Sequence, residues 1–215
     1  MFKAALIDID GLLINSEHLY LEANRIYFKK FNFEFTEELH REGTGKKFDK
    51  WITTVFPTDK SGEGILKERN VVFFDLARKK LELLDGAKEL LTLLRNNFKT
   101  ALVTSTERGY IDLIFEKTRI ADYFDTLITG DMVSHGKPDP ECYKLAADKL
   151  NVIAAECLVF EDAPSGILAA KNAGMKVVAV PSSYVKGDAA FKHADMVLPT
   201  LLDITLEKIK HLDSR

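Results

Sequence analysis

Two aspartates stand one residue apart in the stretch "IDIDGLLINSE", at positions 8 and 10, where an apolar run ends. Burying paired carboxylates at the edge of a hydrophobic core is costly unless something compensates their charge. Three further polar groups occur at equivalent places, each after an apolar run of strand length: Thr104 with Ser105 and Thr106, Lys137 in "GDMVSHGKPDP", and Glu161 with Asp162. Acids, hydroxyls and one ammonium together suit a phosphate group held beside a divalent cation. Mg²⁺ takes oxygen ligands and usually keeps several waters, so Asp8, Asp162 and the backbone carbonyl of Asp10 would suffice to hold it. Asp8 is the candidate nucleophile, and Asp10 the candidate general acid and base. Thr104, Lys137 and the amides of the Asp10–Gly11 and Ser105–Thr106 turns would answer charge on a phosphoryl group.

Each element taken alone has a plainer explanation. Aspartates are common in turns, "ED" before a helix is ordinary capping, and a lysine before "PDP" can be a solvated loop residue. The elements that must position these residues make the joint reading stronger. Apolar runs at 3–9, 99–105, 125–130, 157–162 and 176–182 alternate with helical periodicity at about 86–97, 108–119, 139–150 and 163–173. Near-continuous Val, Ile and Leu runs suit strands covered on both faces, and the alternation predicts a doubly wound α/β sheet. In such a sheet ligands bind beyond the carboxyl ends of the strands, where all four polar groups would converge.

One interval breaks the alternation. Residues 17–31, 46–56 and 62–84 read as helices, with no strand among them and far more chain than a crossover needs. The expected organisation is an α/β core from residues 1–15 and 83–215, with a helical cap inserted at 16–82. The 215 residues carry 46% hydrophobic and 29% charged side chains with a net charge of −3, so neither a nucleic-acid footprint nor a polybasic membrane patch is present. No apolar run approaches the roughly 18–20 residues of a membrane span, and the N-terminus lacks a signal-like segment, so a cytoplasmic location is expected. Cys142 and Cys157 lack metal-type spacing and read as buried reduced thiols.

The chain resembles the haloacid dehalogenase superfamily over essentially its whole length. "DIDGLLINS" from Asp8 to Ser16 matches the nucleophile motif, "ALVTST" the second motif with Thr104, "GKPDP" the third with Lys137, and "EDAPSGILAAKNAGM" from Glu161 to Met175 the fourth. The resemblance implies a Rossmann-like core with Asp8 as nucleophile, Asp10 as acid and base, and Asp8 with Asp162 as Mg²⁺ ligands. Glu161 is then a direct or outer metal partner. The activity implied is phosphatase action on a small phosphorylated metabolite, a sugar or polyol phosphate, through an aspartyl-phosphate. A β-phosphoglucomutase is the alternative. Related mutases carry a histidine where this chain has Tyr20 and an arginine where it has Lys46, beside Gly43; Lys46 lacks the bidentate fork of arginine, which favours hydrolysis. Lys46 remains a candidate phosphate contact, and His18 and Arg41 are further cap residues within possible reach of substrate. Asn15 replaces a common aspartate. A site of this kind needs no second subunit, so a monomer is expected.

Overall fold

The computed structural model describes residues 1–185 and 187–214. The chain forms two compact units, one from Met1–Ile14 and Glu82–Arg215 and the other from Asn15–Leu81.

The first unit is built on strands β1 (Ala4–Ile7), β2 (Lys99–Val103), β3 (Thr126–Ile128), β4 (Cys157–Glu161), β5 (Lys176–Ala179) and β6 (Met196–Val197). They lie in the order β3-β2-β1-β4-β5-β6, all parallel. Every residue of β1 and β4 is buried, which explains why they read as unbroken apolar runs rather than alternating ones. In register, Ile7 of β1 pairs with Leu102 on one side and Phe160 on the other. The residues that follow these three strands therefore emerge side by side. Helices α5 (Ala87–Asn97), α6 (Arg108–Thr118), α7 (Glu141–Leu150), α8 (Pro164–Asn172) and α9 (Leu206–Asp213) complete this unit. Pro164 opens α8 at a position where its missing N–H is no loss. The core beneath α7 and α8 includes Leu6, Val103, Ile128, Tyr143, Val159, Ile167 and Val177. Cys142 and Cys157 are free and buried.

The second unit consists of α1 (Ser16–Lys29), α2 (Glu37–Gly43), α3 (Phe48–Val55) and α4 (Gly62–Lys80). Its core is aromatic: Phe28 lies 5.0 Å from Phe56 and 5.2 Å from Phe35 between ring centroids. Lys80 pairs with Glu22 at 2.6 Å, and Tyr27 donates to Glu68 at 2.8 Å, so α1 and α4 are joined by polar contacts as well as packing.

Three elements go beyond the sequence reading. Helix α2 is short and polar, with His40 as its one buried residue, and depends on the Thr36 hydroxyl capping Leu39 N. The edge strand β6 has two residues, too few for a periodicity, and α9 is capped by Thr205. The helix expected to reach Leu84 ends at Lys80, because Leu83 forms a bridge with Ile14 and Leu84 N donates to Leu13 O at 2.9 Å. Among the described residues no helix is long and apolar enough to cross a membrane.

Candidate active site

The polar groups predicted from the strand ends meet in the first unit. Asp8 follows β1, and its amide donates to Phe160 O of β4; Thr104 follows β2 and donates to Ile128 O of β3. Both are buried, as are Glu161 and Asp162. Carboxylate oxygens of Asp8, Glu161 and Asp162 all lie within 4.8 Å of one another. Lys137, only 6% exposed, reaches into this cluster and donates to Asp8 Oδ1 and Glu161 Oε1, each at 2.6 Å, and to Val103 O at 3.2 Å. One ammonium thus pairs with two carboxylates of a cluster of three.

That imbalance is visible in the acidities. Burial, joined by the nearby Glu161 and Asp10 charges, pushes the Asp8 carboxyl up to about 7, although Lys137 opposes the rise. Burial would pull the Lys137 ammonium down, but Asp8 and Glu161 outweigh it and hold the ammonium well above its ordinary range. Lys137 stays charged, and Asp8 stands where a further cation would favour its ionised form. All the available donors are oxygens. Surplus negative charge and an all-oxygen set match a hard divalent cation.

Asp10 is arranged separately from this cluster. Its Oδ2 accepts from the Thr106 hydroxyl at 2.8 Å and, more weakly, from Thr104 Oγ1 at 3.5 Å. Thr104 Oγ1 in turn accepts from Thr106 N at 3.0 Å, closing the turn after β2. Ser105 is exposed in that turn. Gly11, immediately after Asp10, has φ +77°, a conformation in which a side chain would be strained, so the chain turns away from the strand there.

Lys46 lies in the helical unit, half-exposed, 3.3 Å from Glu42. Arg41 there pairs with Glu37, and His18 is exposed. Asn15 Nδ2 donates to Lys80 O at 3.1 Å, a bond that an aspartate could not donate.

The parts played by two residues were not legible in the sequence. Tyr143, on α7, donates to Glu161 Oε1 at 2.6 Å and is fully buried; in sequence it is one more apolar-face residue of a periodic helix. Glu161 Oε2 accepts from the amides of Asp162 and Ala163 at 3.1 and 3.2 Å. With both oxygens held, Glu161 is fixed in place. Gly166 on α8 makes this possible, since a Cβ there would overlap the Glu161 carboxylate. Gly166→Ala is expected to displace that carboxylate and destabilise the protein by about 3 kcal/mol, from overpacking and broken buried hydrogen bonds. A loss of stability in urea unfolding of less than a third of that would show the carboxylate free to turn aside.

Comparison with known proteins agrees with this geometry. Residues 5–180 match the family model of the haloacid dehalogenase-like hydrolases. The validoxylamine A 7'-phosphate phosphatase of Streptomyces hygroscopicus subsp. limoneus is 35% identical over 209 residues, spanning 95% of this chain and 96% of the relative. A phosphorylated carbohydrates phosphatase of Thermotoga maritima is 32% identical over 182 residues, covering 81% and 82%. Among solved structures, a haloacid dehalogenase-type hydrolase of family IA, variant 3, from Entamoeba histolytica superposes with a TM-score of 0.87 at 26% identity, covering all of both chains.

Proposed function

Because the chain belongs to the haloacid dehalogenase-like hydrolases, we propose that it is a Mg²⁺-dependent phosphatase of a small phosphorylated sugar or polyol, working through an aspartyl-phosphate. The observation that carries this reading is the buried trio of Asp8, Glu161 and Asp162 around Lys137, at the carboxyl ends of adjacent parallel strands. The named activities of the two phosphatase relatives support the choice of substrate class.

In this reading Asp8, Asp162 and the Asp10 carbonyl would hold the metal, with Glu161 as a direct or outer partner. When bound, the ion supplies positive charge against the carboxylates and the incoming phosphate. An Asp8 carboxylate oxygen forms a bond to phosphorus as the bond to the leaving alcohol breaks. Asp10, positioned by Thr106 and Thr104, gives its proton to that leaving oxygen. Asp10 then takes a proton from water, whose oxygen attacks the same phosphorus, releasing inorganic phosphate and restoring Asp8. Lys137, the Thr104 and Ser105 region and the Gly11 amide would stabilise charge on the phosphoryl oxygens. Residues 15–81 act as the substrate-selecting cap, with Lys46 among its candidate contacts.

The test is release of inorganic phosphate from a panel of sugar, polyol and nucleotide phosphates, with Mg²⁺ and with a chelator. Release from a compact group of sugar or polyol phosphates, lost on chelation, is expected. Conversion of β-glucose 1-phosphate to glucose 6-phosphate without free phosphate would make the protein a mutase instead.

A further inference from the structure

Glu161 closes β4 and is only 1% exposed. Its two oxygens meet four donors. Oε1 accepts from Lys137 Nζ and from the Tyr143 hydroxyl, each at 2.6 Å. Oε2 accepts from the amides of Asp162 and Ala163 at 3.1 and 3.2 Å. A carboxylate offers about four lone-pair positions, and these donors fill them. Helix α8 lies flush against the same group: a Cβ on Gly166 would fall 1.7 Å from Oε1 and 2.4 Å from Oε2. Glu161 is therefore held from within the protein on every lone pair it has.

This saturation bears on which acids of the cluster can bond a cation. Mg²⁺ bonds an oxygen at about 2.0–2.1 Å and needs a lone pair directed at it. Glu161 has none to give while its four donors are in place. Three of those donors have other tasks: two are backbone amides of the turn into α8, and Lys137 also serves Asp8. The fourth is a lone phenolic hydroxyl reaching in from α7. We propose that Tyr143 is a positioning residue that keeps Glu161 off the cation. By filling the second lone pair of Oε1, it commits Glu161 to securing Lys137 and the turn after β4, and leaves Asp8 and Asp162 to bond the ion. The inference rests on the reading above only in that Mg²⁺ enters this cluster.

Tyr143→Phe isolates the hydroxyl, because phenylalanine keeps the ring whose centroid lies 5.1 Å from Lys137 Nζ. The experiment titrates the metal-free full chain with Mg²⁺ by isothermal calorimetry, parent against variant. Removing the hydroxyl frees a lone pair and leaves more negative charge on Glu161. The variant should therefore bind Mg²⁺ about tenfold more tightly, the order that one hydrogen bond to a charged group contributes. A residue that merely supported packing would do the reverse, since a loosened site binds its ion less well. The gain should vanish in a Glu161→Gln background, where Tyr143→Phe has no carboxylate to release. A crystal structure of the Mg²⁺-loaded parent reads the same point without a variant: oxygens of Asp8 and Asp162 should lie about 2.0–2.1 Å from the ion and both Glu161 oxygens beyond ~3 Å. If a variant does not fold, that structure decides. Unchanged or weaker binding by folded Tyr143→Phe, a gain that persists without the Glu161 carboxylate, or a Glu161 oxygen bonded to the ion in the parent would overturn the proposal. A parent that binds no Mg²⁺ would overturn both it and the Mg²⁺-dependent reading. Mg²⁺ bound as expected in a protein that releases no phosphate would defeat the phosphatase reading alone.

Discussion

Asp8→Asn is expected to lower phosphate release by more than about 10⁴-fold while leaving the protein folded. Loss of a nucleophile in a concerted catalytic set typically costs that much or more. Asparagine keeps the shape and an oxygen for Lys137, which now donates to Asp8 Oδ1 at 2.6 Å, but an amide oxygen is too weak a nucleophile to form the phospho-enzyme. The stability prediction has the opposite sign. The folded Asp8 carboxyl is pushed from 3.8 up to about 7, chiefly by burial. Its contribution to stability is therefore full below pH 4 and is lost as pH rises to about 7, a change of about 4 kcal/mol for an isolated group. Asp8→Asn removes that pH dependence. In chelator, the variant should be at least as stable as the parent at pH 8, and urea titrations at pH 5 and pH 8 measure the difference. Retained turnover would remove Asp8 from the nucleophile role, and a large loss of stability at pH 8 would contradict the origin of its raised acidity.

Lys137→Met should be the most damaging change to the fold itself. Methionine fills the volume of the lysine stem, so packing is largely kept. The charge is not: Asp8 and Glu161 each lose a partner at 2.6 Å in a place that is almost fully buried. Breaking one side of a buried ionic network costs about 3–5 kcal/mol. Because Lys137 is the chief group holding the Asp8 carboxyl down, its removal raises that carboxyl further. The folded state then favours protonated acids, so the variant's deficit should grow with pH, continuing past pH 7. Adding Glu161→Gln should recover part of the loss by removing one of the stranded charges. Equilibrium unfolding across pH in chelator checks this; a deficit that is flat with pH would show that Lys137 contributes packing rather than charge.

Much of the site was legible because parallel sheets obey a simple rule. Asp8, Thr104, Lys137, Glu161 and Asp162 each follow a strand-like run, and a doubly wound sheet brings the carboxyl ends of its strands together. The apolar runs themselves were readable since β1 and β4 are buried on both faces and show no alternation. Helix α2 was missed because seven largely polar residues with one buried position leave no apolar stripe. Tyr143, and the part Gly166 plays within the fourth motif, were missed for a different reason. A tyrosine on the inner face of α7 and a glycine in α8 look the same in sequence whether they serve packing or a carboxylate.

By itself, then, the sequence determined which element types alternate and which polar residues close each strand, since both depend on local periodicity and on residues adjacent in the chain. The tertiary structure alone decided the pairings: that one ammonium serves both Asp8, 129 residues away, and Glu161, 24 residues away; that the Thr106 hydroxyl makes the short contact to Asp10; and that the Tyr143 hydroxyl, 18 residues from Glu161, meets the same oxygen as Lys137. Hydrogen bonds and buried charges change their energy over fractions of an ångström. Separations that fine are set by strand register, loop path and side-chain packing acting together, and no local pattern of residue types contains them.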